Sequence, residues 1–113
     1  MKNQYRQITA EKLGIEVKEF QWKHSKMIIF ADNDPIIDGE ISQWYPDIDA
    51  NQREKVEDWL IEQGCNLFYR NVHWWTVEII TQKSSSFSGE DKSKSTAFMG
   101  AFMGYINTGT KNK

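Results

Sequence analysis

At 113 residues, with 39% hydrophobic and 13% aromatic side chains, the chain has enough material for one core and not for a second domain. Five Trp, six Phe and four Tyr exclude a disordered chain. A net charge of −2 gives none of the overall basicity expected of a nucleic-acid-binding domain. No apolar run approaches the ~18 residues of a membrane span. The single Cys65 excludes an internal disulfide framework, and Met-Lys-Asn-Gln-Tyr-Arg-Gln lacks a signal-peptide core, so a cytoplasmic setting is expected.

Residues 1–14 are predicted to form a short helix, with Ile8, Lys12 and Leu13 at helical spacing and Gly14 at its left-handed stop. Residues 15–24 alternate loosely and fit either a strand or a loop. Lys26-Met-Ile-Ile-Phe-Ala31 is β-branched and aromatic, so a strand is expected at 26–31. A turn through Asp32-Asn-Asp-Pro35 and a weaker return strand at 36–42 follow. After Pro46, Asp47 or Asp49 can cap a helix over 49–64. There Gln52, Val56, Trp59, Leu60 and Gln63 recur at i, i+4, i+7, i+8 and i+11, and Gly64 ends the run.

Cys65-Asn-Leu-Phe-Tyr-Arg70 and Val72-His-Trp-Trp-Thr-Val-Glu-Ile-Ile-Thr81 have strand composition, predicting a β-hairpin over 65–81 with a turn near Asn71. Trp75, Val77 and Ile79 fall on one face, and Trp74, Thr76, Glu78 and Ile80 on the other. Large apolar groups on both faces imply a central strand covered on two sides. Residues 82–95 are serine-rich and read as a polar loop. Thr96-Ala-Phe-Met-Gly-Ala-Phe-Met-Gly-Tyr-Ile106 is apolar nearly all round, giving a well-covered helix over 96–107, and 108–113 are expected to form a flexible tail. The sum is a single α+β domain, a small antiparallel sheet of three to four strands covered by helices.

Signals for chemistry are sparse. His24, His73 and Cys65 are never paired at i, i+3 or i+4, so no metal or cofactor is expected. A Cys65–His73 nucleophile pair is geometrically conceivable across the hairpin but has no orienting third group. Asp32, Asp34, Asp38, Glu40, Asp47 and Asp49 form an acidic run without Lys or Arg. A calcium loop starting at Asp32 would need Gly at its sixth position and Glu at its twelfth, where Ile37 and Gln43 stand. Turns and caps account for several of these acids; the remainder could face a basic protein partner or imitate a nucleic-acid backbone. Gly100 and Gly104 are spaced for close packing. Met99 and Met103, with Phe98 and Phe102, belong either to the core or to an exposed stripe through which residues 97–106 would make a homodimer. Trp74 and Trp75 with Lys83, Lys92 and Lys94 could make a stacking platform for single strands, although the interleaved Glu90 and Asp91 thin its charge.

One further feature lies in the order of the parts. Ala10-Glu-Lys-Leu-Gly14, a Trp and Asp-Gly region and Tyr45-Pro-Asp-Ile-Asp49 lead into a helix carrying Val56-Glu-Asp-Trp-Leu60. A glycine, a W-x-V strand and an Ala-containing last helix complete the order. Over residues 5–107 this resembles the phage ABA sandwich domain family, small proteins of bacteriophages and prophages. It departs from that pattern in the long serine-rich 82–95 segment and in the Phe/Met-rich last helix. The resemblance implies an α-β-α layered sandwich and a phage origin, and it carries no catalytic residues. The function expected is therefore non-enzymatic: a phage accessory protein that binds a host or phage protein, as an inhibitor of a host defence or regulatory protein would. Nucleic-acid binding through exposed aromatics and the 82–95 loop, or small-ligand binding, are the alternatives. The candidate contact residues are Asp32, Asp34, Asp38, Glu40, Trp74, Met99 and Met103.

Overall fold

The structure, a computed structural model, describes residues 2–31, 36–37, 40–41 and 43–111. Helix α1 (Lys2–Leu13) is followed by strands β1 (Val17–Trp22) and β2 (Ser25–Phe30) and the short pair β3 (Ile36–Ile37) and β4 (Glu40–Ile41). Helix α2 (Ala50–Glu62), strands β5 (Asn66–Asn71), β6 (Trp75–Ile80) and β7 (Ser86–Asp91) and helix α3 (Lys94–Lys111) complete the chain order. This is an α+β fold, with helices packed on an antiparallel sheet. No helix among the described residues is long and apolar enough to cross a membrane.

Local chemistry sets the boundaries. Gly14 ends α1 at φ +71° and Gly64 ends α2 at φ +88°, left-handed conformations that cost glycine little. Asp49 caps α2 by accepting from the Gln52 amide at 2.9 Å. The Gln52 side chain turns back, accepting from the Tyr45 amide and donating to the Gln43 carbonyl, which fixes how the chain enters the helix. Val56 and Leu60 are the buried residues of the α2 stripe, with Trp59 packed beside them.

Residues 17–30 fold into a hairpin whose two-residue turn places Lys23 at φ 54°. The second hairpin pairs Asn66 with Ile80 through to Asn71 with Trp75, so its connection is 72–74, immediately after Asn71, near which the turn was expected.

The polar 82–95 segment departs most from expectation. Residues 86–91 form β7, pairing with β6 from Ile80↔Ser86 to Trp75↔Asp91, so the sheet order is β5-β6-β7. Serine-rich composition hides the strand, because its stability comes from the ladder and from α3 and not from its own side chains. Gly89 is the contact point. A Cβ there would lie 2.1 Å from the Ala97 carbonyl oxygen and 2.7 Å from the Ala101 amide nitrogen. Gly100 sits against Gly89 in turn, so the glycine spacing in α3 serves helix-to-sheet packing. Helix α3 also runs beyond 107, remaining helical to Lys111 where a tail was expected.

Phe102 lies at the centre of the core, edge-on to Tyr5 at 5.5 Å and to Trp59 at 6.3 Å and stacked with Phe98 at 6.3 Å. Val77 and Ile79 meet it from the sheet and Ile28 joins the same cluster from the first hairpin. Each such side chain, once buried, contributes roughly 1.5–3 kcal/mol. Helix α1 contacts both β2 and α2 and so ties the first hairpin to the other helices.

Candidate binding surface

Two groups of polar and aromatic side chains stand out, one inside and one outside. The inner group is a seam between α1, α2 and β5. Arg6 donates from Nε and Nη2 to both Asp47 carboxylate oxygens, at 2.7 and 3.0 Å, with both side chains buried. Trp44 donates from Nε1 to the Arg6 carbonyl at 2.9 Å and to Thr9 Oγ1 at 3.0 Å. The face that α1 buries is therefore Tyr5, Arg6, Thr9 and Ala10, with Ile8 and Leu13 only partly covered. Two of those four are polar, which apolar periodicity alone could not reveal.

Further along the seam, where it is only partly buried, the Tyr69 hydroxyl donates a short hydrogen bond to Glu57 Oε2. Arg53 donates to Ser95 Oγ at 2.7 Å, and its Nε lies 3.5 Å from Glu57 Oε1, near enough for charge but without hydrogen-bond geometry. The Tyr5 hydroxyl, fully buried, has no hydrogen-bond partner among the described residues. Burial raises the Tyr5 pKa well above the usual tyrosine range, with the Asp47 charge adding to it. Burial likewise raises that of Tyr69, reinforced by the hydrogen bond and charge of Glu57. Both phenols are held protonated. The seam reads as a bolt joining the first half of the chain to α2, because leaving one of its charges unpaired would be expensive.

The Cys65–His73 pair is not brought together. Cys65 precedes β5 and His73 follows it, so a strand of about 20 Å at 3.3 Å per residue separates them. Cys65 is buried, and burial raises its thiol pKa despite an opposing hydrogen bond from Tyr105. That environment disfavours a thiolate nucleophile. Among the described residues, no three His, Cys, Asp or Glu side chains converge to hold a metal ion.

The outer group is a face of the three-stranded sheet. Pairing puts Trp75, Val77 and Ile79 with Leu67, Tyr69 and Phe87 on the side covered by α3. The opposite side carries Phe68 beside Glu78, Arg70 beside Thr76 and Asn66 beside Ile80. The expectation that β6 is covered on both faces is corrected here. Phe68 and Arg70 on this side are exposed, and Thr76, Glu78 and Ile80 are only half-buried. Phe68 is 54% exposed, and at the end of the hairpin Val72 is 73% and Trp74 44% exposed. A groove of about 430 Å³ runs between Phe68, Tyr69, Arg70, Thr76 and Glu78. Its charges are not equivalent. Glu78 accepts from Ser86 Oγ at 2.9 Å, whereas Arg70 is in neither ion pair found among the described residues. At the same end, Lys92 lies 5.3 Å over the Trp74 ring and Lys94 lies 4.7 and 5.1 Å over Tyr69 and Trp75.

The other expected contact residues fare differently. Met99 and Met103 are 2% and 5% exposed and belong to the core with Phe98 and Phe102, so the exposed stripe suggested for 97–106 is not formed. Asp32, Asp34 and Asp38 lie outside the described residues, and for Glu40 only the β4 backbone is described. Trp74 alone of the seven is seen on an open surface. Phe68 and Val72 were not singled out, because their alternation does not say which face the helices will take.

The fold thus defines a small α+β domain whose three-stranded sheet leaves one face open. Compared with known proteins, the chain matches no family model, no curated protein and no solved structure.

Proposed function

We propose that this chain is a non-enzymatic binding protein, an accessory protein of phage or prophage type, that acts by engaging a host or phage protein through the open face of β5 and β6. The observation that carries this is the exposure of Phe68, Val72 and Trp74 on one strand and its following connection. Large apolar groups grouped on a surface mark contact sites, and aromatic residues dominate the energetics of such contacts. A host defence or regulatory protein is the target class suggested by the phage-type resemblance.

The test is comparative capture. Immobilised wild-type chain and a Phe68→Ser/Val72→Ser/Trp74→Ser variant are exposed to the same bacterial lysate, after melting curves show that both are folded. A partner retained by the wild type and lost from the variant supports the reading; identical profiles refute it.

A second reading has its own observation, the two lysines stacked over Trp74 and Trp75. If these serve single-stranded nucleic acid, affinity for an oligothymidine falls steeply with salt and Trp74→Ala removes about 1–3 kcal/mol of it. Unchanged tryptophan fluorescence on adding the oligonucleotide disposes of that reading.

A further inference from the structure

We propose that the free edge of β5 receives an extended acidic peptide as a fourth strand of the sheet, a specification of partner that rests on the binding surface described above. The sheet order leaves β5 at an edge, paired over all six residues with β6 on one side and with no other described strand on the other. Its sequence, Asn-Leu-Phe-Tyr-Arg-Asn, contains no lysine, proline or bulge; Arg70 is its one charge, and α2 meets the strand through Glu57 and Tyr69. The groove lies over the β5–β6 pair and so includes the edge strand. Phe68, Arg70, Thr76 and Glu78 share the outer face, but Tyr69 belongs to the inner one, where its hydroxyl is held by Glu57 and its ring lies under Lys94. The groove is thus lined by three consecutive residues of the edge strand, Phe68, Tyr69 and Arg70.

A strand added there makes main-chain hydrogen bonds with β5 and presents alternate side chains to the outer face. Those side chains meet Phe68 and Arg70, which stand two residues apart on that face. Phe68 offers exposed apolar surface. Arg70 offers a guanidinium that no carboxylate among the described residues takes up, while Glu78 keeps its charge but stands on β6, one strand further from the edge. The complementary peptide therefore carries an apolar residue and an acidic residue at i and i+2. Arginine suits the role, since its fork can bind a carboxylate through two bonds.

The probe is the fluorescein-labelled, C-terminally amidated heptapeptide Thr-Val-Thr-Glu-Thr-Val-Thr, titrated against the whole chain by anisotropy. Three comparison peptides replace Glu by Lys, N-methylate alternate amides on one edge, or N-methylate those on the other. Saturable binding is expected, about tenfold weaker for the Lys peptide and abolished by one of the two N-methylation patterns. Arg70→Glu, an exposed substitution that should leave the melting temperature unchanged, reverses the Glu-over-Lys preference. Amide exchange slows across Asn66–Asn71 in the complex. Absence of binding at about 1 mM peptide, indifference to both N-methylation patterns, or a preference untouched by Arg70→Glu would each overturn the proposal. If the peptide fails while the lysate partner is still lost from the triple serine variant, strand addition is wrong and the binding face stands. If both fail, both are wrong. Steep, salt-dependent binding of oligothymidine to the same groove would replace the peptide by nucleic acid and overturn the assignment.

Discussion

Replacing Gly89 by alanine tests how tightly α3 is seated on the sheet. The added methyl would sit 2.1 Å from the Ala97 carbonyl oxygen and 2.7 Å from the Ala101 nitrogen, where ordinary contact begins at 3.4 Å. Both obstacles are backbone, so no rotamer change relieves them; the helix must retreat by roughly 1 Å, a gap that forfeits a quarter to a half of the dispersion attraction of the facing atoms. Gly89 is not in a positive-φ conformation, so alanine adds no backbone strain. By restricting the unfolded chain it even returns about 0.4–1 kcal/mol. Overpacking against backbone outweighs that gain, and a net loss of about 3 kcal/mol is expected, the upper end for such insertions. For a domain of this size that lowers the melting temperature by roughly 12 °C, measured by circular dichroism and checked by urea unfolding. Gly100→Ala is the internal control. Its methyl would meet only the Gly89 Cα at an ordinary 3.6 Å, so the helix propensity of alanine should stabilise by up to about 1 kcal/mol. If Gly89→Ala unfolds within about 0.5 kcal/mol of wild type, α3 does not lie on β7 as described.

Other outcomes follow from the inner seam. Asp47→Ala leaves Arg6 buried without its partner and should cost about 3–5 kcal/mol, whereas Arg6→Met combined with Asp47→Leu should recover most of that in a double-mutant cycle. Tyr5→Phe removes a buried hydroxyl with no partner among the described residues and should be neutral or stabilising, while Tyr69→Phe strips a bond from Glu57 and should cost about 1–3 kcal/mol in urea unfolding. Because Tyr5 and Tyr69 have pKa values raised above 10 in the folded state, stability is intact below pH 10 and falls as the pH rises past it. There the unfolded tyrosines lose protons that the folded ones keep. Denaturation midpoints taken between pH 9 and 12 should show that decline, with Tyr5→Phe flattening it by about 1.4 kcal/mol per pH unit; a decline unchanged in Tyr5→Phe would refute the assignment to Tyr5.

The parts of the fold that were readable in the sequence are those governed by neighbours in sequence. Asp49 before an apolar stripe and Gly64 after it announce α2, and Gly14 announces the end of α1. The hairpin between β5 and β6 declares itself by composition, though its connection is longer than Asn71 suggested. What escaped depends on partners distant in sequence. Strand β7 has six residues of which only Phe87 is a good strand former, and it exists because β6 and α3 accept it. The β1–β2 turn uses Lys23 at positive φ without the Asn-Gly signature that would mark it. The surface was harder still. Met99 and Met103 are core while Phe68 is exposed, an allotment fixed by which side of the sheet α3 occupies. No local pattern encodes that choice.

The bidentate pair between Arg6 and Asp47 spans 41 positions, and the Trp44 indole leans on the same helix across 38 and 35. On the ribosome α1 can meet β2 early, but its buried ion pair cannot close until residue 47 has left the exit tunnel, and Tyr5 waits longer still for Phe102. Shortening the chain from the front by one helix would strand a carboxylate and an indole N–H in a dry interior. For anyone trimming this domain, α1 is a keystone and not a handle.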